Sequence, residues 1–316
     1  MPLILGAQSA VATGFSIDNA CRFVRADETS LEKTPGGAGN ARTFTISFWW
    51  KSNHLDNTVS VSFEAGSAGN KYSGVMIDPQ NHIEFTSYNV SAQYRLETTA
   101  LFLDPGAWFH LVVAFDTTES VEANRIKMYV NGTQITSFSI ETYPSLNYDE
   151  LYLNAAVEHG FGAAVAQGTP AESWIDGYLA DCAFIDGTAY AASDFGEFNE
   201  DSPTIWQPKD ITGLTYGSNG ALLAFADSAN LGDDTSGNGN DWTEVNVAAV
   251  NQSDDTPTNN FPTLAVNNPR HADLDITEAG LGLESGNAQW LGCCGTQAVF
   301  AGKWYVEAKY ITGYNF

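Results

Sequence analysis

From Thr43 the chain reads TFTISFWWK, with Phe44, Ile46, Phe48 and Trp50 at every second position. A period of two places those side chains on one face of an extended strand. The same pattern recurs in TVSVSFE from Thr58, where Val59, Val61 and Phe63 align. NHIEFTSY, AWFHLVVAF, RIKMYV, QITSFSI and ELYLNA continue the series. In RIKMYV, Ile126, Met128 and Val130 alternate with Arg125, Lys127 and Tyr129. No segment carries a convincing helical period. A chain patterned this way is confined to antiparallel sheets with one face buried and one wet. About seven such strands precede residue 160, which suits a jelly roll or a similar sandwich.

The strongest local signal is Asn131-Gly132 between RIKMYV and TQITSFSI. Both residues tolerate positive φ, so the pair predicts a type I′ hairpin. Composition agrees with many short strands and tight turns: 8 Trp, 13 Tyr and 18 Phe accompany 29 Gly. After Trp174 comes WIDGYLADCAFIDGTAY, with Asp-Gly at 176–177 and again at 186–187. ASDFGEFNEDSPTIWQPKD then reads as a polar connection. ALLAF from Ala221 is a short apolar run. NLGDDTSGNGNDW and DDTPTNNFPT have the composition of irregular turns. GKWYVEAKYI from Gly302 is expected as a last strand, with Trp304, Val306 and Ala308 on one face. A strand needs partners, so it is expected to open a second sandwich. The predicted organisation is an arm at 1–14, a jelly roll at 15–197, a connector at 198–262, and the start of a second sandwich at 263–316.

Charge narrows the functional classes. Thirteen Lys and Arg face 38 Asp and Glu, a net charge of −25. No Lys or Arg lies between Lys127 and Lys209, or between Lys209 and Arg270. Such a surface repels phosphates, so neither nucleic acid nor an anionic membrane is an expected partner. Divalent cations or salty surroundings fit better, and simple solubility is the competing reading. MPLILGAQSAVATG lacks a basic stretch, so no signal peptide is expected. No run approaches the roughly 20 apolar residues of a membrane helix, so no membrane insertion is expected. The four cysteines, Cys21, Cys182, Cys293 and Cys294, form no C-x-x-C pair and no zinc framework. Cys21 and Cys182 sit in apolar strand-like runs, as buried thiols do. Sequons beginning at Asn89, Asn131 and Asn251 read as chance.

AWFHLVVAFDTTESVEANRIKMYVNGTQITSF resembles the core of a laminin-G-like, concanavalin-A-like jelly roll. Trp108 and His110 match a W-x-H-hydrophobic strand, and Tyr129, Val130, Asn131 and Gly132 match the hairpin that follows. WIDGYLADCAFIDGTAY is similar to the closing strand of such domains, with Asp176 and Gly177 at the matching Asp-Gly. The order SFWWK, hairpin, IDG, DDTSGNGNDWT and DDTPTNNFPTL resembles a group of tailed-phage structural proteins. In those, a lectin-like jelly roll precedes a SPRY-like sandwich, whose opening strand Gly302, Lys303, Trp304, Tyr305 and Glu307 match. The resemblance implies a virion structural protein, a tail fibre or similar appendage meeting the host surface. It implies assembly in the host cytoplasm beside other virion proteins, a homotrimeric fibre and a host-surface glycan as ligand. A capsid decoration or head-fibre protein, a polysaccharide-degrading enzyme and a secreted lectin are the alternatives.

Among candidate sites, the run Asp233, Asp234, Ser236, Asn238, Asn240 and Asp241 offers the most oxygen ligands. Calcium takes six to eight oxygens, and Asp234, Asn238, Asn240 and Asp241 are the candidate ligands. From Asp234, Gly239 falls at the sixth position of an EF-hand-like loop, but Val245 replaces the twelfth-position Glu. Jelly rolls similar to this one carry a structural calcium; a hydrogen-bonded turn is the competing reading. Carbohydrate hydrolysis needs two carboxylates facing one cleft. The Glu-x-Asp-x-x-Glu strand of hydrolases on this fold is missing, and Glu197, Glu200 and Asp201 read as a solvated surface. G-x-S-x-G, P-loop, H-E-x-x-H and G-x-G-x-x-G patterns are also missing, so no catalytic residue is assigned. His54, His82, His110, His159 and His271 are scattered, and His110 is expected to be structural. Trp49, Trp174, Tyr178 and Tyr88 are candidates for stacking on sugar; packing is the competing reading.

Overall fold

The computed structural model describes residues 14–53, 55, 58–166, 173–266, 274–285, 292–299, 301–303 and 305–309. The arm at 1–14, apart from Gly14, lies outside the described residues, as do His54, His271, Trp304 and Tyr310. Strands in chain order are β1 (Ala20–Phe23), β2 (Ser30–Lys33), β3 (Thr43–Ser52), β4 (Ser60–Ala68), β5 (Lys71–Ile77), β6 (Ile83–Asn89) and β7 (Ser91–Thr98). Next come β8 (Phe109–Asp116), β9 (Ile126–Val130), β10 (Thr133–Gln134), β11 (Phe138–Thr142), β12 (Glu158–Phe161) and β13 (Gly177–Asp186). Shorter strands follow: β14 (Gly196–Phe198), β15 (Trp206–Pro208), β16 (Ala221–Leu223), β17 (Thr243–Val245), β18 (Gln252–Ser253), β19 (Leu274–Thr277) and β20 (Gly282–Ser285).

Two eight-stranded antiparallel sheets face each other. The first runs β10-β9-β8-β3-β13-β1-β18, with β16 also on β13. The second runs β11-β7-β6-β5-β4-β12-β2-β17. Their inward side chains form one core. Phe44, Ile46, Phe48 and Trp50 all enter it, as the period-two reading of β3 expects. Across the gap Phe48 meets Phe161 edge-on at 6.4 Å, and Phe63 lies 5.8 Å from Phe184. Each such buried Phe contributes about 1.5–3 kcal/mol by leaving water. Ile126 and Met128 are buried in the same core, with Val130 packed against it. The thiols of Cys21 and Cys182 are free, buried and pushed upward in pKa by burial.

The pattern misplaces one residue of β4. A register shift between Val61 and Phe63 breaks the alternation. Phe63 enters the core, while Val61 packs with Met76 and Ala164 on the other side of the sheet. The Asn131-Gly132 turn has φ of 47° and 75°, the left-handed pair of a type I′ hairpin. Its second arm is short. β10 pairs with β9 for two residues, and the chain then crosses to the second sheet, where β11 pairs with β7. A local pattern marks a strand but not the sheet that receives it.

The face of β3 expected to be wet is buried instead. Trp49 packs with Ile17, Ala20, Trp108, Tyr178 and Ala279, while Val112, Ala183 and Ile185 pack with Phe195, Ile211 and Tyr216. These covering residues form a roof over the first sheet. The stretch expected as a connector at 198–262 supplies part of it. It also adds β16 and β18 to the first sheet and β17 to the second.

Lys51 points into this roof and is 1% exposed. Its ammonium donates to Asp255 Oδ2 at 2.7 Å, Asn260 Oδ1 at 2.8 Å and the Phe261 carbonyl at 2.7 Å. All three protons are thereby satisfied. Asp255 Oδ1 accepts from Trp108 Nε1 at 3.0 Å and from the Phe261 amide at 3.2 Å. Burial lowers the Lys51 pKa, and Asp255 opposes the shift. The pair pins residues 255–261 onto β3.

Asp181 marks a second junction. It sits at a register shift in β13 with φ of 43°. Before it β13 pairs with β1; after it, with β16. Burial raises the Asp181 pKa to about 7, with Asp210 and Asp18 adding repulsion.

Further along, β19 and β20 form a hairpin whose turn residue Ala279 is buried in the roof. Residues 305–309, expected within a strand, belong to none, and Tyr305 and Val306 are 85% and 90% exposed.

Two outcomes are expected. Asp255→Ala leaves an uncompensated buried ammonium and should lower stability by about 3–5 kcal/mol in urea unfolding. The Asp181 effect depends on pH. Its folded pKa, about 7, lies above the unfolded value of about 4. The stability linked to this group is present below pH 4 and is lost as pH rises through 7. Asp181→Asn should therefore raise Tm at pH 8 and change it little at pH 4.

Candidate functional site

The second sheet has an outward face richer in chemistry than its core face. β4, β5, β6 and β7 send Phe63, Val75, Phe85 and Leu96 inward. Alternation turns Glu64, Tyr72, Met76, Glu84, Thr86, Tyr88, Arg95 and Glu97 the other way. These polar groups are nonetheless sheltered: Glu64 is 0% exposed and Glu84 7%.

Two glycines explain part of the shelter. A Cβ on Gly66 would lie 2.4 Å from Ala166, and one on Gly160 would lie 2.4 Å from Val165. Their absence lets residues 162–166 lie across the face as a wall. The Ala166 amide donates to Glu64 Oε1 at 2.9 Å. Glu64 Oε2 is buried with no hydrogen-bond partner. Burial pushes this carboxyl up to about 7.

Beside it, Tyr72 and Tyr88 pair across β5 and β6 and stack at 6.0 Å, 18° from parallel. Burial and the charges of Glu64 and Glu84 hold the Tyr72 hydroxyl protonated. Further along, Arg95 bridges Glu84 at 2.9 Å and Glu97 at 2.7 Å. Ser139 donates to Glu97 Oε1 at 2.6 Å. Burial raises the Glu84 pKa, and the guanidinium opposes the rise. An aromatic pair and a fixed ion network together offer stacking and directional hydrogen bonds, the elements of polyol recognition.

The carboxylates are poorly spaced for hydrolysis. Glu64 lies opposite Gly74, which lies opposite Thr86. Glu64 and Glu84 are thus two strands and two residues apart, about 12 Å between backbones. Two-carboxylate hydrolysis places the carboxyl groups roughly 5–10 Å apart.

Of the four aromatic candidates from sequence, Tyr88 lies on this face. Trp49 is buried and stacks on His110 at 4.6 Å. Tyr178 is buried beside Lys51, 5.8 Å from its ammonium, and Trp174 is also buried. These three are packing residues. Tyr72 escaped the sequence reading, since only the β5–β6 register pairs it with Tyr88. Glu64 escaped because nothing local reveals the wall that buries it. His110 is buried between Ser47 at 3.0 Å and Trp206 Nε1 at 3.0 Å, and burial lowers its pKa to about 3. Glu197, Glu200 and Asp201 are exposed, with Glu197 3.5 Å from Lys209.

In the Asp/Asn loop, Asp234 Oδ1 accepts from the Leu222 and Ser236 amides, both at 2.9 Å. Its Oδ2 accepts from the Asn240 amide at 2.8 Å. Asn238 and Asn240 donate side-chain protons to the carbonyls of Gly217, Ser218 and Gly220. Asp241 Oδ1 accepts from the Asp234 amide at 3.1 Å. A calcium ion here would have to compete with these N–H donors for the two aspartates.

A family model described as the concanavalin A-like lectin/glucanases superfamily, of the laminin G type, matches residues 27–188, just over half of the chain. The chain belongs to this superfamily. No curated protein matches it. Among solved structures, a heptameric SAP-like pentraxin from Limulus polyphemus is similar at 15% identity and a TM-score of 0.39, over 56% of this chain and 80% of that one. The Ruminococcus gnavus IT-sialidase CBM40 bound to α2,3-sialyllactose is similar at 13% identity and a TM-score of 0.34, over 52% and 89%. Mouse laminin α1 domains LG4-5 are similar at 10% identity and a TM-score of 0.39, over 58% and 45%. The matched residues of the superfamily domain span β2 to β13, and so include every strand of the candidate face.

Asp234→Ala should cost about 3 kcal/mol, since three amides lose a charged acceptor. If hydrogen bonds alone close the loop, EDTA leaves the Tm of the unsubstituted protein unchanged. A chelator-dependent fall that Asp234→Ala abolishes would establish calcium instead.

Proposed function

We propose that this chain is the glycan-binding part of a phage virion appendage, with residues 64–97 of the second sheet as its sugar-contacting face. The observation that carries the glycan reading is the stacked, half-buried Tyr72–Tyr88 pair on the outward face of the second sheet. A ring face suits the apolar face of a pyranose, and the partly exposed Arg95 guanidinium suits its hydroxyls. Membership of a lectin superfamily supports the same reading. The appendage role rests on the order of motifs from SFWWK to DDTPTNNFPTL, and the strongly acidic composition is compatible with it. In this reading the protein assembles in the host cytoplasm, joins other virion proteins as a homotrimer, and meets a host-surface glycan. Residues 263–316 would begin a SPRY-like sandwich. The exposed Leu281, Leu283 and Val299 support further packing there.

The test has two arms. Host-surface polysaccharides are screened against the whole chain by glycan array and calorimetry. Tyr72→Ala and Tyr88→Ala are each expected to weaken binding at least tenfold while leaving the circular dichroism unchanged. Binding that both substitutions leave intact would remove this face from the proposal. Antibody-labelled particles give the second arm by electron microscopy. Label on tail appendages supports host attachment, label over the capsid turns the role into decoration, and unlabelled particles sink the virion reading.

A further inference from the structure

At one end of the second sheet, the β5–β6 turn brings Asp78 and His82 beside Glu97 of β7. One ligand atom from each lies within 4.8 Å of the others. Their sequence positions predict no such grouping, because Asp78 and His82 flank a tight turn while Glu97 arrives on the next strand.

Asp78 and His82 are each held by an atom they do not need for a metal. Asp78 Oδ1 accepts from the Gln80 and His82 amides, both at 2.8 Å. The turn is further fixed by bonds between the Asp78 amide and the His82 carbonyl and between the Asn81 amide and the Asp78 carbonyl. His82 Nδ1 meets the Thr98 carbonyl, which can only accept. Nδ1 therefore carries the proton, and in the neutral ring Nε2 presents a lone pair. Thr98 is itself fixed, its Oγ accepting from the Ile83 amide at 3.1 Å. Glu97 Oε1 accepts from Ser139, and Oε2 from Arg95. Nε2 of His82 and Oδ2 of Asp78 have no hydrogen-bond partner among the described residues. A carbonyl-bound Nδ1–H with a free Nε2 is how proteins aim an imidazole at a metal.

Charge points the same way. Arg95 is shared between Glu84 and Glu97, and Asp78 adds a further carboxylate beside Glu97. Asp78 and Glu97 are 7% and 9% exposed, and His82 is half-buried. The cluster is thus sheltered, partly dry and open on the imidazole side.

We propose that Asp78, His82 and Glu97 form a binding site for a divalent transition metal of the zinc class. One imidazole and two carboxylates match the nitrogen and oxygen preference of zinc. Calcium asks for six to eight oxygens, which this trio does not supply. Tetrahedral zinc at about 2.0–2.1 Å from its ligands sets them about 3.4 Å apart, so the three atoms must draw in by about 1.4 Å at most. The free Asp78 Oδ2 and the half-buried His82 ring can supply that movement toward Glu97. Water fills the fourth position. The ion would clamp the β5–β6 turn to β7, at the opposite end of these strands from Tyr72 and Tyr88.

The test uses the whole chain, stripped of metal and titrated with Zn²⁺ by calorimetry, with Co²⁺ absorption reporting tetrahedral geometry. One equivalent is expected to bind and to raise Tm. His82→Ala and Asp78→Asn should each weaken binding at least tenfold. Asp78→Asn keeps an oxygen for the two turn amides, so it separates metal loss from unfolding. Cys293→Ser/Cys294→Ser should leave binding unchanged. No saturable Zn²⁺ binding, binding that survives both His82→Ala and Asp78→Asn, or binding lost with the two thiols would each overturn the proposal.

Discussion

Burial of β3 on both faces is the constraint on which the rest of the architecture depends. One face fills the space between the sheets with Phe44, Ile46, Phe48 and Trp50. The other carries Trp49 and Lys51, and neither is left to water. An indole can be covered by any apolar surface. A lysine ammonium needs three acceptors in a defined arrangement, and it finds them in one short stretch at Asp255, Asn260 and Phe261. The buried ion pair is a weak source of net stability, because desolvation offsets most of its attraction. Its larger effect is to fix which segment covers the sheet, and in what register.

That roof divides labour between the two sheets. The first has both faces occupied and has become a scaffold. The second keeps one face on the core and offers the other to the surroundings. The chemistry collects there: the buried acid Glu64, the Tyr72–Tyr88 pair, and the network of Glu84, Arg95, Glu97 and Ser139. The wall at residues 162–166 rests on Gly66 and Gly160, so two missing side chains help give a flat sheet its depth.

The strands and the hairpin were legible because they are written locally. Alternation in β3 and β9 names the inward residues correctly, and Asn131-Gly132 names its own turn. Sheet membership was not legible, since β11 leaves the sheet of β9 and β10 after two paired residues. The roof was hidden for the same reason. A period-two strand looks half-wet unless the sequence shows what returns to cover it, and here the cover includes a stretch that reads as a polar connector. Among aromatic candidates, Tyr88 reached the site while Trp49, Trp174 and Tyr178 were drawn into packing. Alternation divides side chains between two faces without saying which face is wet. Asp78, His82 and Glu97 form no linear motif, and a turn and a cross-strand neighbour are needed to see them together.

The pinning of β3 also sets the order in which a growing chain can finish. Lys51 and Asp255 are 204 residues apart. β1 waits for β13 to pair one of its edges and for β18 to pair the other. At a synthesis rate of about 5–20 residues per second, Lys51 precedes its partner by about 10–40 s. Until then Trp49, and Trp108 and Tyr178 once they are made, lack their cover, and the edges of the first sheet are open to other chains. Contacts of such long range fold slowly, because loop closure must come before the contacts that reward it. The nascent protein is therefore most exposed to aggregation when nearly all of this sandwich exists and only its lid is missing.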